Sequence, residues 1–269
     1  MKASTQYLST VQTAQKLYET QDRPLLVMCS DLNRYVCKHS GGNNGLNLFC
    51  EYIAASFLKI WELQVPDFSF IKVNYEHVKG FDLPKHFFER TCFGSKYSKY
   101  YQELNHFTEN PDIKKQQGYV DNRNDLLKIA LFDLWLANED RNFNNLNLLI
   151  DVNSNYSYVP IDHGAILNSK EFNNKIYLLS ENESLVNTEI VSKLFPKFEY
   201  PKDFVVQFEE YFYICTAKCK QSYNDIVKSV PTDWDIKPKV YDKISEEIFS
   251  PEWEKSVLQM FFTLIRSPY

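Results

Sequence analysis

The chain has 269 residues, 44% of them apolar and 16% aromatic, enough to bury a sizeable core in one domain of two lobes or in two small domains. Seven glycines exclude a collagen-like or glycine-rich disordered chain. A net charge of -5 with a pI near 5.6 argues against nucleic acid as a partner, because phosphate binding rests on a basic footprint.

The opening "MKASTQYLSTVQTAQKLYET" lacks the continuous apolar core of a signal peptide. No run approaches the roughly 18 apolar residues that a membrane span needs. Cys29, Cys37, Cys50, Cys92, Cys215 and Cys219 are scattered, with no CxxC pair. That spacing suits buried, reduced thiols better than a zinc cluster. The expectation is a soluble, cytoplasmic protein.

In chain order, "STVQTAQKLYET" is expected to form a short helix. "PLLVMCSD" and "RYVCKHS" read as two strands joined by a turn at Asp31 to Asn33. "GGNNG" follows, with Gly41, Gly42 and Gly45, then "LNLFCEYIAASFLKIWEL" at helical periodicity. "DFSFIKVNY" is another strand, with Phe68, Phe70 and Lys72 at alternate positions. From about residue 95 the chain is expected to turn helical. "NDLLKIALFDLWLAN" is apolar nearly all round, the mark of a buried helix. A hairpin is expected at 146–161, and three or four helices finish the chain. Ser250-Pro251 is a helix start, with Pro268 just past its end. The fold class is α+β, with a small strand-rich N-lobe over 1–94, a larger, mainly helical C-lobe over 95–269 and a cleft between them.

Three side chains around the hairpin stand out. Asp140 and Asn145 are five residues apart on a loop after the buried helix, and Asp162 follows the second hairpin strand. A hairpin returns its ends to one place, so Asp162 is expected near both. Two carboxylates and an amide suit Mg²⁺, which takes few protein carboxylates and fills its shell with phosphate and water oxygens. Phosphoryl transfer uses this equipment. Taken singly, each residue also reads as a helix cap or turn former. A separate signal lies upstream. Glu51 shares a helical face with Leu48, Ala54, Ala55 and Leu58, where an unpaired carboxylate is costly. Lys38, at the end of "RYVCK", is the nearest candidate partner, and a strand Lys paired to a helix Glu is how kinases position the lysine on nucleotide phosphates. An ordinary surface salt bridge is the other reading of this pair.

"NEDRNFNNLNLLI" followed by "PIDHG" resembles the catalytic segment of HipA-like kinases, within the protein-kinase-like superfamily. "YVCK" with "LFCEYIAASFLKIWELQVP" is similar to that family's nucleotide-binding lysine and the helix after it. The resemblance covers roughly residues 25–75 and 120–167. It implies a two-lobe kinase fold and ATP and Mg²⁺ as cofactors. It further implies Asp140 as the catalytic residue, Asn145 and Asp162 as metal ligands, and Lys38 and Glu51 at the nucleotide. Asp162-His163-Gly164 echoes the Asp-Phe-Gly element of protein kinases.

Some features depart from the pattern. No GxGxxG precedes Lys38, and the glycines at 41, 42 and 45 form either a displaced phosphate-covering loop or a plain turn. Against full HipA toxins the chain looks like a stand-alone kinase domain, without implied toxin–antitoxin pairing. Arg141 either neutralises the loop or contacts a phosphate, and His163 reads as structural. The aromatic residues of "KFEYPKDFVVQFEEYFYICTAK" and "EKSVLQMFFTLI" read as core. The leading expectation is a serine/threonine protein kinase using Mg-ATP. The alternatives are a pseudokinase or nucleotide-sensing interaction module, and a small-molecule or lipid kinase of the same fold.

Overall fold

Residues 6–104, 117–170, 175–195 and 202–266 are described by the computed structural model of the chain. Pro268 and residues 197–201, which open the "KFEYPKDFVVQFEEYFYICTAK" stretch, lie outside them. The chain divides into two compact units. The first comprises Met1–Ser56, Pro66–Lys99 and Asp225–Pro238, and the second comprises Phe57–Val65, Tyr100–Asn224 and Lys239–Tyr269. The architecture is α+β.

The first unit is built on a six-stranded sheet. Its strands are β1 (Tyr7–Ser9), β2 (Lys16–Leu17), β3 (Leu25–Met28), β4 (Arg34–Lys38), β5 (Phe68–Lys72) and β6 (Cys92–Lys96), in the order β1-β5-β6-β4-β3-β2. Only β1 and β5 pair in parallel. The expected turn between β3 and β4 forms, because the Asp31 carboxylate replaces backbone partners. It accepts from the Asn33 N–H at 3.1 Å, the Asn33 amide at 2.9 Å and the Tyr35 hydroxyl at 2.7 Å. Inside the turn, Leu32 takes a left-handed φ of 62°. Helix α1 (Leu46–Ile60) follows, and it buries Leu48, Phe49, Tyr52, Ile53 and Ala54. Strand β5 buries Ser69, Phe70 and Ile71 in succession, so it is covered on both faces rather than alternating. A Cβ on Gly94 would meet Ile71 Cδ1 at 2.1 Å, which is why β6 carries glycine beside β5.

Two expectations are corrected. Residues 9–20 are not helical. Their backbone N–H groups are spent on neighbouring strands and loops: Thr10 on Lys72, Val11 on Met28, Ala14 on His77 and Gln15 on Leu26. Thr10, Val11 and Thr13 are β-branched and suit that extended path. Nor does the chain turn helical at 95. Strand β6 runs to Lys96, and β7 (Tyr101–Glu103) then opens a second sheet; beyond it, the first described helix is α2 (Gln117–Asp121).

In the second unit, α3 (Arg123–Trp135) has an exposed first turn but is buried without interruption from Ile129 to Trp135. The expected hairpin is β8 (Leu148–Asp151) with β9 (Ser157–Pro160), and β7 adds to its free edge in the order β7-β8-β9. Helices α4 (Glu189–Leu194), α5 (Lys202–Lys228), α6 (Pro238–Ile248) and α7 (Pro251–Arg266) follow. Helix α7 starts where Ser250-Pro251 predicts, with the Ser250 hydroxyl accepting the Trp253 N–H at 3.2 Å. Trp135 binds α3 to this bundle: its indole N–H donates to Ile248 O, and Trp253 donates to Trp135 O. The six cysteines are free and buried. Among the described residues, no helix is long and apolar enough to cross a membrane.

Candidate active site

Lys38 ends β4 and Glu51 lies one turn and a half into α1. Their side chains meet, Lys38 Nζ to Glu51 Oε1 at 2.6 Å, with only 13% and 7% of each side chain exposed. The partner that the apolar face of α1 demanded is therefore present. An ion pair this buried needs good geometry to offset desolvation.

The loop after α3 is organised by Arg141, which is fully buried. Its Nε donates to Asp133 Oδ2 at 2.8 Å. Nη1 donates to Leu146 O at 3.2 Å and to Asn147 O. Nη2 donates to Ile161 O at 3.1 Å and to His163 Nε2 at 3.0 Å. A guanidinium has five N–H groups, and all five are used. Arg141 thus has no donor left for a phosphate; it is a clamp inside the loop. Since guanidinium only donates, His163 Nε2 accepts and its ring proton sits on Nδ1. Burial pushes the Asp133 carboxyl up, while the Arg141 guanidinium and the Asn138 amide (2.8 Å) pull it back.

This clamp ties the backbone just after Asn145 to the backbone on either side of Asp162. It holds the carbonyls of Leu146 and Asn147 on one side and both neighbours of Asp162 on the other. The Ile161 N–H also donates to Asn147 O at 3.0 Å. Asp140 Oδ2 accepts from Asn145 Nδ2 at 3.1 Å and from Asn147 Nδ2 at 3.0 Å. Among the described residues no hydrogen bond reaches Asp140 Oδ1. Asn147 and Asp162 take left-handed φ values of 45° and 59°. Asn and Asp tolerate that region better than other non-glycine residues, and strained backbone concentrates at functional sites.

Sequence reasoning missed Asn147, whose amide shares Asp140 with Asn145, and it missed Glu139. The Glu139 carboxylate accepts from Ser169 Oγ at 2.6 Å, Tyr177 Oη at 2.7 Å and Asn168 Nδ2 at 3.4 Å. It thereby ties down the chain after Asp162, where Leu167, Asn168 and Ser169 are all left-handed. A carboxylate two places before Arg141 carries no local signal of this, because its partners lie some thirty residues on.

The donor set fits Mg²⁺ better than a softer metal. Among the described residues no group of three or more His, Cys, Asp or Glu is arranged for a metal. Its candidate donors, the Asp162 carboxylate by residue type and the Asn145 amide oxygen, left over because Asn145 Nδ2 is spent on Asp140, are hard oxygens. Few protein oxygens, with the rest from phosphate and water, is the coordination Mg²⁺ accepts.

The α+β fold is that of a kinase. Across 97% of this chain and 98% of the other, it is similar to the crystal structure of a Helicobacter pylori proinflammatory kinase, CtkA, with a TM-score of 0.57 and 14% sequence identity. It also matches the open conformation of CtTel1 over 94% of this chain and 12% of that one, at a TM-score of 0.40 and 11% identity. No curated protein matches the chain. The HipA-like kinase family matches residues 10–260, and the chain belongs to that family.

Proposed function

We propose that the chain is a serine/threonine protein kinase that transfers the γ-phosphoryl group of Mg-ATP to a protein hydroxyl. On this reading residues 1–94 form the nucleotide-binding lobe and 95–269 the catalytic lobe. Lys38 contacts the nucleotide phosphates and Glu51 holds it ready. Asn145 Oδ1 and the Asp162 carboxylate would hold Mg²⁺, which when bound neutralises phosphate charge. Asp140 orients the acceptor hydroxyl and takes its proton as the oxygen bonds to the γ-phosphorus and the bond to the β-phosphate oxygen breaks, releasing ADP.

One observation carries the reading: two amides, Asn145 and Asn147, converge on a single oxygen of Asp140. That orients the carboxylate and leaves Oδ1 for the proton. In support, Arg141 spends all its donors on the loop that bears these residues.

The test is Asp140→Asn. Transfer of labelled phosphate from ATP to protein should fall by about 10²-fold or more, while folding and nucleotide binding persist. Unchanged turnover in this variant would remove Asp140 from the mechanism. Phospho-amino-acid analysis of the labelled product checks the acceptor; label recovered only in small molecules or lipid would exclude a protein kinase.

A further inference from the structure

We infer that Trp234 is a positioning residue for the Lys38–Glu51 pair, acting through helix α1. The inference rests on the kinase reading above. Trp234 lies in a short turn, Thr232–Trp234, between α5 and α6, and it is fully buried. Its carbonyl accepts the Gly45 N–H at 2.8 Å, and Gly45 is the residue before α1. Its ring occupies the space where a side chain on Gly45 would be: a Cβ there would meet Trp234 Cγ at 2.3 Å. Two rings sit edge-on to it, Phe70 at 5.4 Å and Tyr52 at 6.4 Å. Tyr52 is the residue after Glu51. Trp234 therefore grips α1 at its first turn and beside its carboxylate.

The same turn grips the sheet. Trp234 Nε1 donates to Thr91 O at 2.6 Å. Asp233 Oδ2 accepts from the Thr91 N–H at 3.0 Å, the Thr91 hydroxyl at 2.8 Å and Lys72 Nζ at 2.5 Å. Arg90 bridges from the other direction, donating to Asp233 O and to Asn43 O. Thr91 leads directly into β6, and β6 pairs with β4 so that Phe93 faces Lys38. One turn thus braces the helix that carries Glu51 and the strand beside Lys38. A largely buried ion pair at 2.6 Å is sensitive to separation, because little water reaches either charge. A side chain that only filled the core would stabilise the unit without setting the spacing of the pair.

The two roles separate in a double-mutant cycle on the full chain, read as affinity for a non-hydrolysable ATP analogue with Mg²⁺ by titration calorimetry. Trp234→Ala and Glu51→Gln should each weaken binding on the order of tenfold, and the double variant should bind no worse than the weaker single. Trp234→Phe should recover most of the loss. Should Trp234→Ala fail to fold by circular dichroism, Gly45→Ala replaces it in the cycle, since its methyl group pushes on the same ring. Wild-type affinity in the Trp234 or Gly45 variant, or a double variant whose loss is the product of the two singles, would overturn the inference while Lys38→Ala still shows a loss. If Lys38→Ala and Glu51→Gln both bind the analogue like wild type, the kinase reading of this pair fails and the inference falls with it.

Discussion

Arg141 shows how much one side chain decides at this site. Its five bonds join the end of α3, the 146–147 backbone and both flanks of Asp162. Removing it leaves Asp133 as a buried carboxylate with only the Asn138 amide beside it. Arg141→Ala should therefore cost about 3–5 kcal/mol of stability, the usual penalty for breaking a buried pair from one side. Urea midpoints with the slope held constant measure it, and a loss below about 1 kcal/mol would show that the loop does not depend on the clamp. Where the variant stays folded, phosphoryl transfer should fall as well, because the backbone flanking Asp162 is no longer tied to Leu146 and Asn147. The residues proposed to carry the chemistry were singled out in sequence by type and spacing. Arg141 was visible too, but nothing local says whether an arginine in a loop turns outward to a phosphate or inward to carbonyls. That depends on where α3 ends and where the hairpin closes.

At the level of elements, the strands and helices follow their local signals where those signals agree with packing. The β3–β4 turn forms because Asp31 and Asn33 satisfy it within a few residues. The inner turns of helix α3 hold because their apolar residues can be buried all round, with Asp133 paired to Arg141. Residues 9–20 went the other way, since hydrogen bonds to β3, to β5 and to the turn at His77 outweighed a weak helical pattern. The turn at Asp233 adds a pH dependence to the first unit. Burial pushes the Asp233 carboxyl up, but hydrogen bonds from Lys72 and Thr91 outweigh it and hold the group below its ordinary value. A carboxyl lowered in the folded state contributes stability above its unfolded value, about 4 for aspartate, and loses that contribution as pH falls through the folded value. Asp233→Asn should thus be less stable than wild type at pH 7, with the gap closing as the pH falls below about 4. Denaturant midpoints across that range test it; a gap that stays constant into acid would mean the Asp233 charge adds nothing.

For the whole molecule, binding and folding are linked by mass action. On the kinase reading Mg²⁺ with an ATP analogue at about 100 times its dissociation constant should stabilise the folded chain by roughly 2.7 kcal/mol. That corresponds to a rise in Tm of some degrees for a chain of this size, seen in a thermal melt. Asp162→Asn should lose the part of the shift that depends on Mg²⁺ and keep any part due to nucleotide alone. An identical Mg²⁺-dependent shift in that variant would remove Asp162 from the metal site. The sequence by itself determined the strand and helix order around Lys38 and Glu51, the need of a carboxylate on an apolar helix face for a partner, and the spacing of Asp140, Asn145 and Asp162. These follow from periodicity and desolvation, which act over a few residues. Only the tertiary structure decided that Arg141 turns inward, that Glu139 holds Ser169 and Tyr177, and that Trp234 reaches Thr91 across 143 residues of chain. Such contacts are chosen by which surfaces meet when the core closes, and no local pattern encodes them.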